Sequence, residues 1–80
     1  TIQYQLPEQA YVTLKVFDVL GREVATLASG IHSQGTHAVA WDGMDFNGNS
    51  VTSGVYFYQL NATGMSGKNF TSLQKMILMK

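Results

Sequence analysis

Apolar residues recur at every second position along this chain, and clusters of glycine, asparagine, aspartate and serine cut the pattern into short runs. Ile2, Tyr4 and Leu6 alternate up to Pro7-Glu8, which reads as a strand followed by a turn. From Tyr11 to Asp18, Val12, Leu14 and Val16 face one way and Thr13, Lys15 and Phe17 the other, as in a half-buried antiparallel strand. Between Asp18 and Ala28 a helix competes, because Leu20, Val24 and Leu27 stand four and three apart with Asp18 as a potential N-cap. Gly21 would sit inside that helix at a cost of about 1 kcal/mol against alanine. In a positive-φ turn between two strands it costs nothing, so a hairpin is favoured.

Ser29-Gly30 and Gln34-Gly35 are expected to bracket a loop. Thr36–Asp42 reads as the next strand, with His37, Val39 and Trp41 on one face. The run Asp42–Ser50 is dense in turn formers and must be an ordered loop. Gly54 opens Val55-Tyr56-Phe57-Tyr58-Gln59-Leu60, apolar on both faces as expected of a central strand. Residues 63–69 read as a polar loop, and Phe70–Lys80 as a last long strand. The expected architecture is all-β: an antiparallel sandwich of six to seven strands. Its expected core contains Val12, Leu14, Val16, Val24, Val39, Trp41, Tyr56, Tyr58 and Leu60.

Eighty residues make one domain, and a chain this short buries only about 60–65% of its unfolded surface. An apolar content of 45% suffices for one compact core and argues against disorder. Formal net charge is zero, with charged residues at 12%, which leaves no electrostatic footprint for nucleic acid or anionic membranes. Without cysteine there are no disulfides, thiolate nucleophiles or zinc–thiolate sites. No apolar run approaches the length of a membrane-spanning helix. The opening Thr1-Ile2 does not read as a signal peptide, and the chain is expected to be a module of a larger protein.

Catalysis finds little footing. His32, His37, Asp42, Asp45, Glu8, Glu23 and several serines could form a triad on paper, but His32 is expected in a loop and His37 on a strand. No glycine-flanked serine forms a nucleophile elbow. The bland reading of His37 is a satisfied histidine stacked beside Trp41. Asp42, Asp45, Asn47 and Asn49 invite a calcium site, yet from Asp45 the glycine falls at the fourth position and no glutamate follows, so an EF-hand loop fails. Turns held by side-chain caps are the simpler reading, with a different calcium geometry as the alternative. Asn61-Ala62-Thr63 and Asn69-Phe70-Thr71 match the glycosylation sequon, a signal short enough to arise by chance. Tyr4, Tyr11, Trp41, Tyr56, Phe57 and Tyr58 could supply a sugar-stacking platform, although Trp41, Tyr56 and Tyr58 are expected in the core.

Three segments come in a recognisable order: Leu14–Val24, Gly35–Gly43 and Ser53–Leu60. Followed by the closing Lys75-Met76-Ile77-Leu78-Met79-Lys80, they resemble the type A C-terminal sorting domain of the type IX secretion system. The same core is similar to the immunoglobulin-like domain of flagellar hook-capping proteins. The resemblance covers essentially the whole chain as one sorting domain, residues 1–80. It implies recognition by an outer-membrane translocon, then removal by a sortase-like peptidase. The residues it carries over are Gly54, Val55 and Tyr56 from a Gly-x-Tyr motif, and Lys75, Met76, Ile77, Leu78, Met79 and Lys80 from the terminal basic-apolar-basic motif. The asparagine- and proline-rich segment that usually precedes the first strand is absent here. The Asn61–Ser72 loop also reads as longer than usual, which leaves the register of the last strand open.

The expected function is therefore a non-enzymatic module, with no cofactor and no metal, that takes an N-terminal cargo domain through the periplasm to the surface of a Gram-negative bacterium. Met76–Met79 would offer a main-chain edge and apolar side chains to a receptor. Tyr56 falls where a tyrosine corner would lie. The alternatives are a carbohydrate-binding or cell-attachment module of a secreted hydrolase, and a scaffold domain of a flagellar cap.

Overall fold

The computed structural model describes residues 2–79, and their strands run Ile2–Leu6 (β1), Ala10–Phe17 (β2), Glu23–His32 (β3), Gly35–Val39 (β4), Gly54–Gly64 (β5) and Asn69–Leu78 (β6). Two antiparallel sheets pack face to face: β1–β4, and a larger sheet in the order β3–β2–β5–β6. No helix forms among the described residues. The segment after Asp18 is a hairpin in which Gly21 takes φ +82°, a conformation that β-carbon crowding denies to most residues. The Asp18 carboxylate closes the turn, accepting hydrogen bonds from the Leu20 and Arg22 amides at 2.9 and 3.0 Å and from Arg22 Nε at 2.9 Å.

The helix-like spacing of Val24 and Leu27 has a different origin. Leu14 and Lys15 are partnered by Ala28 and Thr26, and Val16 and Phe17 by Ala25 and Glu23. Val24 and Leu27 are thus the extra residues of two β-bulges, where two residues of one strand oppose one of the other. The bulges let Val24 and Ala25 both be buried, although strict alternation would expose one of them.

β2 lies at the centre of the core. Ala10, Val12, Leu14 and Val16 have no solvent exposure, and the first three cluster with Ile2, Tyr4 and Leu6 of β1 and with Leu60 and Ala62 of β5. Val16, Val24, Ala25 and Tyr56 form a second cluster at the other end. Of the expected core, Val12, Leu14, Val16, Val24, Tyr56 and Leu60 are buried, whereas Val39, Trp41 and Tyr58 are only half-buried. The two short strands of the smaller sheet do not reach across the whole face of the larger one.

Two expected loops are mostly strand. β3 continues through Ser29 and Gly30 to His32, leaving only residues 33–34 as the turn into β4. β4 in turn ends at Val39, before Trp41. The expected loop over residues 63–69, and the longer Asn61–Ser72 excursion, contract to residues 65–68. β5 and β6 pair without a register shift from Gly54–Leu78 to Thr63–Asn69. Polar side chains misled the reading here: Asn61 and Thr71 sit opposite each other on the outer face, where polarity is compatible with a strand. The last strand begins at Asn69 and ends at Leu78, and Lys80 lies outside the described residues.

The β5–β6 turn is tied to the turn between β1 and β2. Glu8 accepts hydrogen bonds from the Ser66 amide at 2.7 Å and the Ser66 hydroxyl at 2.8 Å. Those bonds, the amide first, hold the Glu8 carboxyl below its ordinary value of 4.5, with Lys68 adding a smaller electrostatic pull. A depressed folded-state pKa gives stability that is complete above the ordinary value and lost as pH falls through the folded one. The Ser66 amide resonance should therefore titrate with a midpoint below 4.5, and Glu8→Gln should abolish that titration. At the core centre, Leu14→Ala should cost about 3 kcal/mol in urea denaturation. A loss under about 1 kcal/mol would show that the site collapses freely and that β2 is not the packing centre.

Candidate functional site

The register of β5 and β6 places the two resemblance-derived motifs side by side. Gly54 is opposite Leu78, Val55 opposite Ile77, and Tyr56 opposite Met76. Gly54 has φ +153°, which suits glycine where the chain swings from the preceding loop into β5. From there the pleat sorts the motif residues onto two faces. Tyr56 points inward, and Met76 and Leu78 are half-buried against the core. Lys75, Ile77 and Met79 are exposed, and Val55 joins them on the outer face at 38% exposure beside Ile77 at 66%.

β6 is the edge of the larger sheet, with β5 as its sheet neighbour, so one side of its backbone is free to pair. None of its residues is fully buried. Lys75 lies opposite Phe57, which itself lies opposite Phe17, so an ammonium group flanks an outer row of two aromatics. The ion pairs among the described residues are Lys15–Glu23 and Asp18–Arg22, both at 2.9 Å, and neither involves Lys75.

Tyr56 does structural work. Its hydroxyl donates to the Thr52 carbonyl oxygen at 2.7 Å, four residues upstream, and its ring meets Trp41 edge-to-face at 5.1 Å. That back-bond from near the start of a strand is the geometry of a tyrosine corner. The Trp41 indole in turn donates to the Met44 carbonyl at 3.0 Å. The loop that follows is held by side-chain caps, as its composition suggested. Asp42 accepts from the Met44 amide at 3.0 Å, and Asp45 from the amides of Asn47 and Asn49 at 2.9 and 3.0 Å.

The remaining aromatics do not share a platform. Tyr4 is buried with Tyr56, Tyr58 is half-buried, and Tyr11 and Phe57 lie on the opposite, outer face. A surface depression of about 600 Å³ is open to solvent between the Asp18–Val24 hairpin and Val51–Tyr56. Asp18, Arg22 and Glu23 on its wall are already engaged with each other or with Lys15.

The sequence missed one cluster. His32 is the last residue of β3, not part of a loop, and His37 stacks on Tyr4 at 5.3 Å rather than beside Trp41. The two histidine rings, which nothing in the sequence placed together, are 5.3 Å from each other. Only the strand assignment of residues 29–32 could have revealed this, and Ser29-Gly30 obscured it.

Two packed antiparallel sheets with a tyrosine corner define an immunoglobulin-like β-sandwich. The family described as FlgD Ig-like domain matches residues 1–68, and the chain belongs to that family. The match stops one residue short of β6, so the terminal motif lies beyond it. No significant match is found among curated proteins or among solved structures.

Tyr56→Phe should cost about 1–2 kcal/mol, because it leaves the Thr52 carbonyl without its donor. Thermal or urea denaturation measures this, and an unchanged midpoint would mean the corner contributes nothing.

Proposed function

We propose that the chain is a non-enzymatic sorting module whose β5–β6 edge is read as a transport address by an outer-membrane type IX translocon. A cargo domain would be N-terminal to it, and a sortase-like peptidase would act after passage to the cell surface. One observation carries this reading: the Gly54–Tyr56 and Met76–Leu78 motifs, separate in sequence, are paired residue for residue at an unpaired sheet edge. An extended receptor segment could add to that edge through backbone hydrogen bonds. Lys75, Ile77 and Met79 would supply the side chains it reads, and Lys80 is assigned to the same motif. Gly54 and Tyr56 hold the edge in shape from below, and Val55 extends its outer face.

Family membership favours a second reading, a scaffold domain of a flagellar cap, in which the same edge would pair with other subunits. The two readings separate on a reporter fused upstream of the chain in a type IX-competent host. Lys75→Ala removes an exposed charge, and combined with Lys80→Ala it should change stability by only about 0.5 kcal/mol. The folded double variant is expected to leave the reporter in the periplasm. Normal surface delivery would rule out recognition of the lysines, and equal delivery after deletion of Met76–Lys80 would rule out the address altogether.

A further inference from the structure

His32 and His37 belong to different sheets, joined by the two-residue turn at 33–34, and each ring has one nitrogen already engaged. His37 Nε2 lies 2.8 Å from the Ser33 carbonyl oxygen. A carbonyl only accepts, so Nε2 carries the proton and Nδ1 keeps its lone pair. His32 Nδ1 lies 3.2 Å from the Tyr4 hydroxyl. When Nδ1–H donates to that oxygen, Nε2 of His32 is left with a free lone pair as well. An outer hydrogen bond of this kind is how metal-ligating histidines are fixed in tautomer and orientation. Both rings are partly exposed, so an ion and its waters can reach them.

The ring spacing fits a shared ion. Metal–nitrogen bonds of about 2.0–2.1 Å at an angle of roughly 90–110° place two imidazole centroids about 4.5–5.2 Å apart. The observed separation is 5.3 Å, just beyond the upper end of that range, with the rings 79° apart in plane. We propose that His32 Nε2 and His37 Nδ1 chelate a borderline divalent transition metal (Zn²⁺, Ni²⁺ or Cu²⁺), with water in the remaining positions. Tyr4 orients His32 and does not ligate. Among the described residues no three histidine, aspartate or glutamate side chains converge on a metal position, so this is a two-ligand site. Its consequence is mechanical: the ion would join the last residue of β3 to the middle of β4, and so clamp the two sheets at their tightest connection. Binding to the folded chain alone raises its stability by mass action.

The test is a set of thermal melts and calorimetric titrations of the full chain at pH 7.5 with zinc, nickel, calcium or magnesium chloride. Zinc and nickel should raise the melting temperature, while the oxygen-seeking calcium and magnesium should not. His32→Gln and His37→Gln should each abolish the rise, and Tyr4→Phe should keep it with about ten-fold weaker affinity. Should a variant fail to fold, nickel added to the wild-type chain should broaden amide resonances selectively around residues 30–38 and Tyr4. No rise with millimolar zinc, an equal rise in both histidine variants, or broadening centred elsewhere would each overturn the proposal.

Discussion

The inward row of β2 is the contact on which the other elements depend. Val12, Leu14 and Val16 are sealed from solvent, and burying each is worth about 1.5–3 kcal/mol. Domains of this size retain a net stability of only about 5–15 kcal/mol, so three such side chains weigh heavily. β2 is also paired on both sides, by β3 and by β5. β1 packs over it, and β6 is joined to its sheet only by way of β5. Loss of order in β2 would unpair the larger sheet and uncover the smaller one together.

Burial falls away from that centre toward β6. β5 keeps Tyr56, Leu60 and Ala62 buried, whereas β6 contributes only half-buried side chains to the core. An edge strand with few deep contacts belongs to the low-stability end of a fold, where local opening is cheapest. For the proposed sorting role this is a useful place for an address. The outward residues can be read without disturbing the core, and the inward Met76 and Leu78 keep the strand in register. The tyrosine corner serves the same end from the other side, since Tyr56 anchors the start of β5 against which the terminal motif aligns.

The opposite end of the molecule is organised by polar and aromatic contacts. Tyr4, His32 and His37 come from three strands and two sheets, and bring the only two histidines of the sequence into one ring cluster. Nothing in their spacing distinguishes a shared site from two unrelated surface residues. Their meeting follows from the length of β3, which carries His32 past Ser29-Gly30 to the turn.

The alternation of Ile2–Leu6 and Val12–Val16 by itself determined that the chain forms antiparallel sheets with those residues inside, because a period of two leaves no other buried face. Gly21 determined the hairpin, and the aspartates after Trp41 determined a capped loop, since both act through local backbone geometry. The tertiary structure alone decided the rest. Val24 and Leu27 mimic a helix in sequence, and only pairing with β2 turns that spacing into two bulges. Trp41 and Tyr58 look like core residues but remain half-buried, because how far the small sheet reaches is not encoded locally. The alignment of Gly54–Tyr56 with Met76–Leu78 and the joining of His32 to His37 depend on strand lengths and register. Those are fixed by contacts between residues distant in the chain, and no local pattern reports them.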